Sequence, residues 1–291
     1  MSEIDPAAVA EARRFYAEEV RFVGNLKREE VVAAFAKVPR ERFLGPPPWK
    51  LGEPSGRYRD VPGGDPRDTY HDVAYALDAS RTLNNGLPSF MGSLIDASGA
   101  CEGQHAVHIG CATGYYTAIL AELVGENGHV TAIEIDEIFA EQARENLSPW
   151  PQVSVKQADG TQFDPGAANV ILVNAGATHP LSLWLERLLP HAKLIVPLTV
   201  NAPMHGEGWV LEVSHAVQGF AARFLEPVGI YPCAGGRDED LNRLLSRVFQ
   251  RGDDEVRKVR SLRRDEHAPG EDCWLHGEDF CLSRTELNES A

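Results

Sequence analysis

The stretch HAVHIGCATGYYTAILAELV, residues 105–124, followed by HVTAIEID, residues 129–136, constrains the fold more than any other part of the chain. The apolar run at 106–109 has the length of a buried strand. GCATG then places Gly110 and Gly114 in a turn, where a missing Cβ lets backbone approach a ligand. YYTAILAELV continues at helical spacing, and the first turn of such a helix leaves N–H groups unpaired. Glu134 follows Gly114 by twenty residues, at the carboxyl end of the next strand. An acid at that point can take both hydroxyls of a ribose. The unit therefore predicts a nucleoside site at the carboxyl edge of a parallel sheet.

The turn discriminates among nucleosides. A dinucleotide fingerprint wants G-x-G-x-x-G, whereas this turn is spaced G-x-x-x-G with Ala112 in the middle. A pyrophosphate needs the closest backbone approach, which Ala112 hinders. S-adenosylmethionine carries no phosphate and fits, with its ribose on Glu134 and its methionine part against the turn.

Charge and cysteine usage narrow the partners. The formal charge is −15, from 43 acids against 28 bases. Phosphate recognition needs a basic footprint, so a nucleic-acid partner is not expected. Five cysteines are widely scattered, which suits small buried hydrophobes in a reducing compartment rather than a disulfide framework. His267, Cys273, His276 and Cys281 raise the thought of zinc, but they lack a paired C-x-x-C knuckle and no metal is expected. No stretch is apolar enough to span a membrane. MSEIDPAAVAEARRF lacks the basic-then-apolar order of a signal peptide, so the expected location is cytoplasmic.

Along the chain, Asp5-Pro6 starts an amphipathic helix over 6–24, and a second helix over 28–38 stops at Pro39. Residues 45–69 are rich in Pro and Gly and read as a lid or a surface insertion, with Trp49 and Tyr58 either closing over substrate or pinning the loop. LNNGLP is a turn before a helix entered at Pro88, and Asn84 and Asn85 within it are candidate ligand contacts. Helix EIFAEQARENL, strand QVSVKQ, strand ANVILVNAG, helix HPLSLWLERLL and strand AKLIVPL continue the alternation. WVLEVSHAVQGFAARFLEPV reads as an antiparallel hairpin bending at Gln218-Gly219. The expected fold is α/β, a Rossmann-like doubly wound sheet ending in that hairpin. Three regions are expected: a cap and lid over 1–80, a cofactor domain over 81–233 and an extension over 234–291. In the extension, DEDLNRLLSRVFQ is a helix, 251–272 a solvated link, and DCWLHGEDFCLS a terminal strand or hairpin.

VPRERF, HIGCATGYYTAILAELVG, VTAIEID, ADG and VILVNAGA together resemble the protein-L-isoaspartate O-methyltransferase family, from about residue 28 to about residue 233. The resemblance implies a class I methyltransferase fold using S-adenosylmethionine. It implies that Gly110, Cys111, Ala112, Gly114 and Tyr115 hold the methionine part, Glu134 the ribose, and Asp159-Gly160 the adenine edge. Tyr116, Ile135 and Asn174 border these positions. The chain departs from the family pattern in the substrate loop, which reads Thr82-Leu83-Asn84-Asn85-Gly86-Leu87-Pro88. Asn84 stands where the family has Ser, and two residues are inserted before the Pro. His108 and Asn169 stand where the family usually carries acids.

Methyl transfer from a sulfonium releases a neutral leaving group, so the enzyme gains by alignment and exclusion of water. A carboxylate acceptor, of pKa near ~4, is already ionised and needs only positioning donors such as Asn84, Asn85 and Thr82. A hydroxyl or amine acceptor needs a base, for which His71 beside Asp72, or His179 in NAGATHP, are the candidates. The expected acceptor is a peptide or small metabolite. A nucleic-acid amino methyltransferase would want a polar-Pro-Pro-aromatic turn where Asn174-Ala175-Gly176-Ala177 stands. A non-catalytic cofactor-binding homologue is the third reading.

Overall fold

The computed structural model describes residues 5–53, 57–202 and 205–287. Its helices are α1 (Pro6–Val23), α2 (Glu29–Lys37), α3 (Pro88–Ser98), α4 (Tyr115–Val124), α5 (Glu137–Asn146), α6 (Ser182–Glu186), α7 (Glu239–Phe249) and α8 (Asp253–Val256). Strands β1 (Trp49–Gly52), β2 (Tyr58–Val61), β3 (Ala76–Asp78) and β4 (Leu83–Asn84) form two small hairpins. The sheet strands are β5 (His105–Ile109), β6 (His129–Glu134), β7 (Val153–Gln157), β8 (Ala168–Val173), β9 (Leu188–Val200), β10 (Gly206–Ala216), β11 (Gly219–Ile230), β12 (Ser261–Arg263), β13 (Cys273–His276) and β14 (Cys281–Ser283). The chain forms two compact units, Met1–Gly103 with Cys111–Gln157, and Gln104–Gly110 with Ala158–Ala291.

In the first unit α1 begins as its sequence dictates. Asp5 caps it by accepting from the Ala7 N–H at 2.9 Å, with Pro6 in the first turn. Tyr16, Ala17 and Val20 form its buried stripe, and α2 answers with Val31, Val32, Ala34 and Phe35. β6 and β7 pair in parallel from Val130↔Val153 to Glu134↔Gln157, with α4 packed on β6 and α5 on β7. α4 is apolar and buried on almost every side, which marks it as an interior helix. The 45–69 connection is not a loose insertion. β1 and β2 form a hairpin in it, and Trp49 is buried with Leu44 and Tyr75 while its indole N–H donates to the Gly45 carbonyl at 3.0 Å. Residues 54–56 of that connection lie outside the described residues.

The second unit carries strands in the order β13-β14-β12-β11-β10-β9-β8-β5. β5, β8 and β9 are parallel, and β9 onward are antiparallel. β5 and β8 are buried along almost their whole length, as parallel strands covered on both faces must be. The expected final hairpin is β10–β11.

Two expectations need correction here. The helix expected over HPLSLWLERLL shrinks to α6, because β9 already begins at Leu188, paired with Ala168. Pro190 lacks the N–H a continuing helix would need, and the sheet offers the alternative. The solvated link expected over 251–272 contains α8 and β12, with Val256, Val259 and Leu262 buried. Those three apolar residues recur every third position inside a charged run, which masks them. Among the described residues no helix is long and apolar enough to cross a membrane.

Candidate functional site

In the first unit the turn after Gly110 is tied to the acid at the end of β6. The Cys111 N–H donates to the Ile133 carbonyl at 3.2 Å, and the Ala112 N–H donates to Glu134 Oε2 at 2.7 Å. The Asp136 N–H donates to Glu134 Oε1 at 3.0 Å. Each carboxylate oxygen keeps a further lone pair, so the pair of ribose hydroxyls still finds acceptors. Glu134 is only 7% exposed, and burial raises its pKa against the lowering pull of the Asp136 and Ala112 amides. Gly114 sits at φ +96°, where a Cβ would lie 2.7 Å from Leu147 Cδ1. Only glycine suits both conditions. Thr113 clamps the turn from behind, its hydroxyl donating to the Phe43 carbonyl at 2.7 Å. Ile135, beside Glu134, is half exposed and offers an apolar surface to a nucleobase.

The side chains of Tyr115 and Tyr116 are not placed as the resemblance implied. Both are buried, Tyr115 with its hydroxyl 3.2 Å from that of Tyr16, Tyr116 donating to the Gly86 carbonyl at 3.2 Å. Only their backbone N–H groups, at the start of a helix without a side-chain cap, remain for a ligand. At the centre of this aromatic cluster is Arg40, from VPRERF, which the sequence did not mark as functional. It is fully buried, under the rings of Tyr16, Tyr75 and Tyr115. Its Nη1 donates to the carbonyls of Thr69 (2.9 Å) and His71 (2.7 Å), and its Nη2 to that of Val73 (2.5 Å). Burial pushes the Tyr16 phenol up to about 12, so the cluster stays neutral apart from the guanidinium. An arginine next to an aromatic-rich segment was the available signal.

The substrate loop is held on several sides. Asn85 is buried, and exchanges bonds with Tyr75: the Tyr75 N–H donates to Asn85 Oδ1 at 2.8 Å and the Asn85 N–H to the Tyr75 carbonyl at 3.0 Å. Its Nδ2 is buried with no hydrogen-bond partner among the described residues. Asn84 Oδ1 accepts from the Gly86 N–H at 2.9 Å. Tyr58, on β2, donates to the Thr82 carbonyl at 2.8 Å, which ties the 45–69 hairpin to this loop. Arg81 bridges Asp78 and Asp136, and so reaches the residue two beyond Glu134. The expected His71–Asp72 partnership gives way to another: Asp72 Oδ1 accepts from the Ser89 N–H at 2.7 Å, satisfying an open donor of α3, while His71 is exposed.

In the second unit Gly110 sits at φ +76°, with a Cβ position 3.3 Å from the Asn174 carbonyl oxygen. The Asn174 N–H donates to the Ile109 carbonyl at 2.8 Å and its Nδ2 lies 3.5 Å from the Gly110 carbonyl. Asp159 Oδ1 accepts from the Thr161 N–H (2.9 Å) and hydroxyl (2.7 Å), closing a turn at the end of β7. A Cβ on Gly160 would fall 2.4 Å from Ile109 Cγ2, so no larger residue fits. His179 bonds the Thr178 hydroxyl at 3.0 Å and stacks on Phe280 of the terminal hairpin at 5.6 Å. Burial lowers its pKa. The structure also brings together His267, Cys273, His276 and Cys281, for which no common role was expected.

Glycine turn, buried acid and parallel α/β alternation define a class I S-adenosylmethionine-dependent methyltransferase, and the left-handed glycines and open carboxylate lone pairs fit that cofactor. The profile of the protein-L-isoaspartate(D-aspartate) O-methyltransferase family matches residues 16–205, and the chain belongs to that family. It is 29% identical over 213 residues to a protein-L-isoaspartate O-methyltransferase of Ignicoccus hospitalis, covering 72% of this chain and 90% of the relative. To that of Aeropyrum pernix it is 30% identical over 193 residues, covering 65% and 67%. Among solved structures, a protein-L-isoaspartate O-methyltransferase superposes with a TM-score of 0.61 at 20% identity, over 82% of this chain and 69% of that one. A Plasmodium falciparum protein of the same name, in complex with S-adenosyl-L-homocysteine, superposes with a TM-score of 0.59 at 14% identity, over 76% and 97%.

Proposed function

We propose that this methyltransferase esterifies a carboxylate presented by a peptide, with Asn84 and Asn85 positioning the acceptor. The observation that carries the reading is the buried, unpartnered Nδ2 of Asn85 in the loop that holds Ser in the family. A donor in that state suits an anionic oxygen, which needs alignment and no base. The candidate bases have other engagements: His71 is exposed, and His179 is stacked on Phe280 and lowered by burial. Relatives of this chain are named for L-isoaspartyl substrates, which makes an isomerised aspartyl peptide the first acceptor to try. The bound cofactor supplies an electrophilic methyl group on a sulfonium. Glu134 holds the ribose, the Cys111–Tyr115 backbone faces the methionine part, Ile135 packs on the base, and Gly110, Asp159, Gly160 and Asn174 border it from the other unit's sequence.

The test is transfer of labelled methyl to a peptide panel carrying isoaspartyl, D-aspartyl, aspartyl and C-terminal carboxylates, beside amine and hydroxyl acceptors. The expected product is a base-labile ester that releases methanol in mild alkali. Alkali-stable label, or label on the amine acceptors alone, would overturn the reading.

A further inference from the structure

We propose that the C-terminal extension holds a structural zinc ion in a Cys2His2 site made by His267, Cys273, His276 and Cys281. One ligand atom from each of the four lies within 4.8 Å of all the others. A tetrahedral zinc with Zn–S near 2.3 Å and Zn–N near 2.05 Å places its ligand atoms about 3.3–3.8 Å apart, so they need draw in by roughly 1 Å at most.

The backbone is built for this convergence. Along a regular strand, Cys273 and His276 would point to opposite faces, being three residues apart. The β13–β14 register shifts between Cys273 and Leu275, a bulge that puts the two on one face. His276 pairs directly with Cys281 across the hairpin. The displaced residue, Trp274, turns into an aromatic cluster with Phe224 and Phe249, its indole N–H donating to the Glu255 carbonyl at 2.8 Å. His267 arrives from the connection between β12 and β13.

The surroundings have the character of a metal's outer shell. His267 Nδ1 lies 2.8 Å from the Asp265 carbonyl, a bond that places its hydrogen on Nδ1 and leaves the Nε2 lone pair, 3.6 Å from Cys273 Sγ, for the ion. The Gly270 N–H donates to Cys273 Sγ at 3.3 Å, as a backbone amide does toward a thiolate. His276 Nδ1 is buried with no hydrogen-bond partner among the described residues, an expense a metal would relieve. Two thiolates balance one Zn2+, so the finished site is neutral. Soft sulfur with imidazole in a closed set of four favours zinc over magnesium or calcium, and the closed set leaves no open position for catalysis. The ion would clip the 264–272 connection to the terminal hairpin, a job no apolar core does there.

The experiment uses the full chain, untagged, so that no engineered histidines contribute. Elemental analysis is expected to give about one zinc per chain, and replacement by Co2+ to give the intense visible bands of a tetrahedral site with sulfur-to-cobalt charge transfer. Cys273→Ser and His276→Gln are expected to lose stoichiometric metal, while Cys101→Ser, at an exposed thiol elsewhere, keeps it. The wild-type cobalt spectrum decides the matter even if a variant fails to fold. Zinc well below stoichiometry after equilibration and gel filtration, an octahedral cobalt spectrum, or a Cys273–Cys281 disulfide in freshly purified protein would overturn the proposal.

Discussion

The Ala112 N–H donates to Glu134 Oε2 at 2.7 Å, so the glycine turn and the ribose acid are a single hydrogen-bonded unit. A carboxylate is the right partner for two backbone donors and two ribose hydroxyls at once, because it accepts everywhere and donates nowhere. Glu134→Gln keeps the volume but sets an NH2 against one of the amide donors. A lost charge-assisted bond is worth about 1.5–3 kcal/mol, so calorimetry should find S-adenosylmethionine bound about 10–100-fold more weakly. Burial raises the Glu134 pKa, so the wild-type affinity should fall with decreasing pH sooner than an ordinary glutamate, pKa near ~4.3, would allow. An affinity unchanged in the variant would refute the assignment.

Arg40 should matter to stability more than any other charged residue. It gives three backbone carbonyls their partners from a fully buried position. Arg40→Met leaves those carbonyls unanswered, and each buried unsatisfied acceptor costs about 1–3 kcal/mol. Urea unfolding should show a loss of roughly 3 kcal/mol or more. Arg40→Lys should recover little of it, since one ammonium cannot reproduce the fork. A loss below about 1 kcal/mol would refute this role.

The contrast between Glu134 and Arg40 shows what was legible in the sequence. The strand–turn–helix and its acid are local, with every residue within thirty of the next, and periodicity exposes them. Arg40 acts on carbonyls about thirty residues downstream, and nothing in a linear pattern announces a buried cation. The β1–β2 hairpin was hidden because Gly and Pro flank strands only four residues long. The four metal-ligating residues were hidden because only a bulge brings Cys273 and His276 to one face.

His108, in the middle of β5, makes folding depend on pH. Burial holds its pKa at about 4, below the usual value of 6.5. The unfolded chain therefore binds a proton that the folded chain refuses. Stability from this residue is complete above pH 6.5 and is lost as pH falls toward about 4. The full span amounts to ~3 kcal/mol. His108→Leu should flatten the wild-type slope between those pH values in denaturant unfolding, whatever it does to stability at pH 8. A variant with the wild-type slope would show that another group titrates.

Asn85 separates binding of the acceptor from binding of the donor. Asn85→Asp preserves the oxygen that accepts from Tyr75 and exchanges the Nδ2 donor for a second oxygen. At neutral pH that oxygen shares a negative charge, which repels a carboxylate acceptor. The specificity constant kcat/KM for a carboxylate peptide should drop at least 100-fold, the scale of a misplaced charge of about 3 kcal/mol. Affinity for S-adenosylmethionine should stay within about twofold, because Glu134 and the turn are untouched. Activity should rise again as pH falls and the new carboxyl takes up its proton, opposite to the trend expected of Glu134 in the wild type. A drop in donor affinity equal to the drop in kcat/KM would mean that Asn85 supports the cofactor pocket instead of meeting the acceptor.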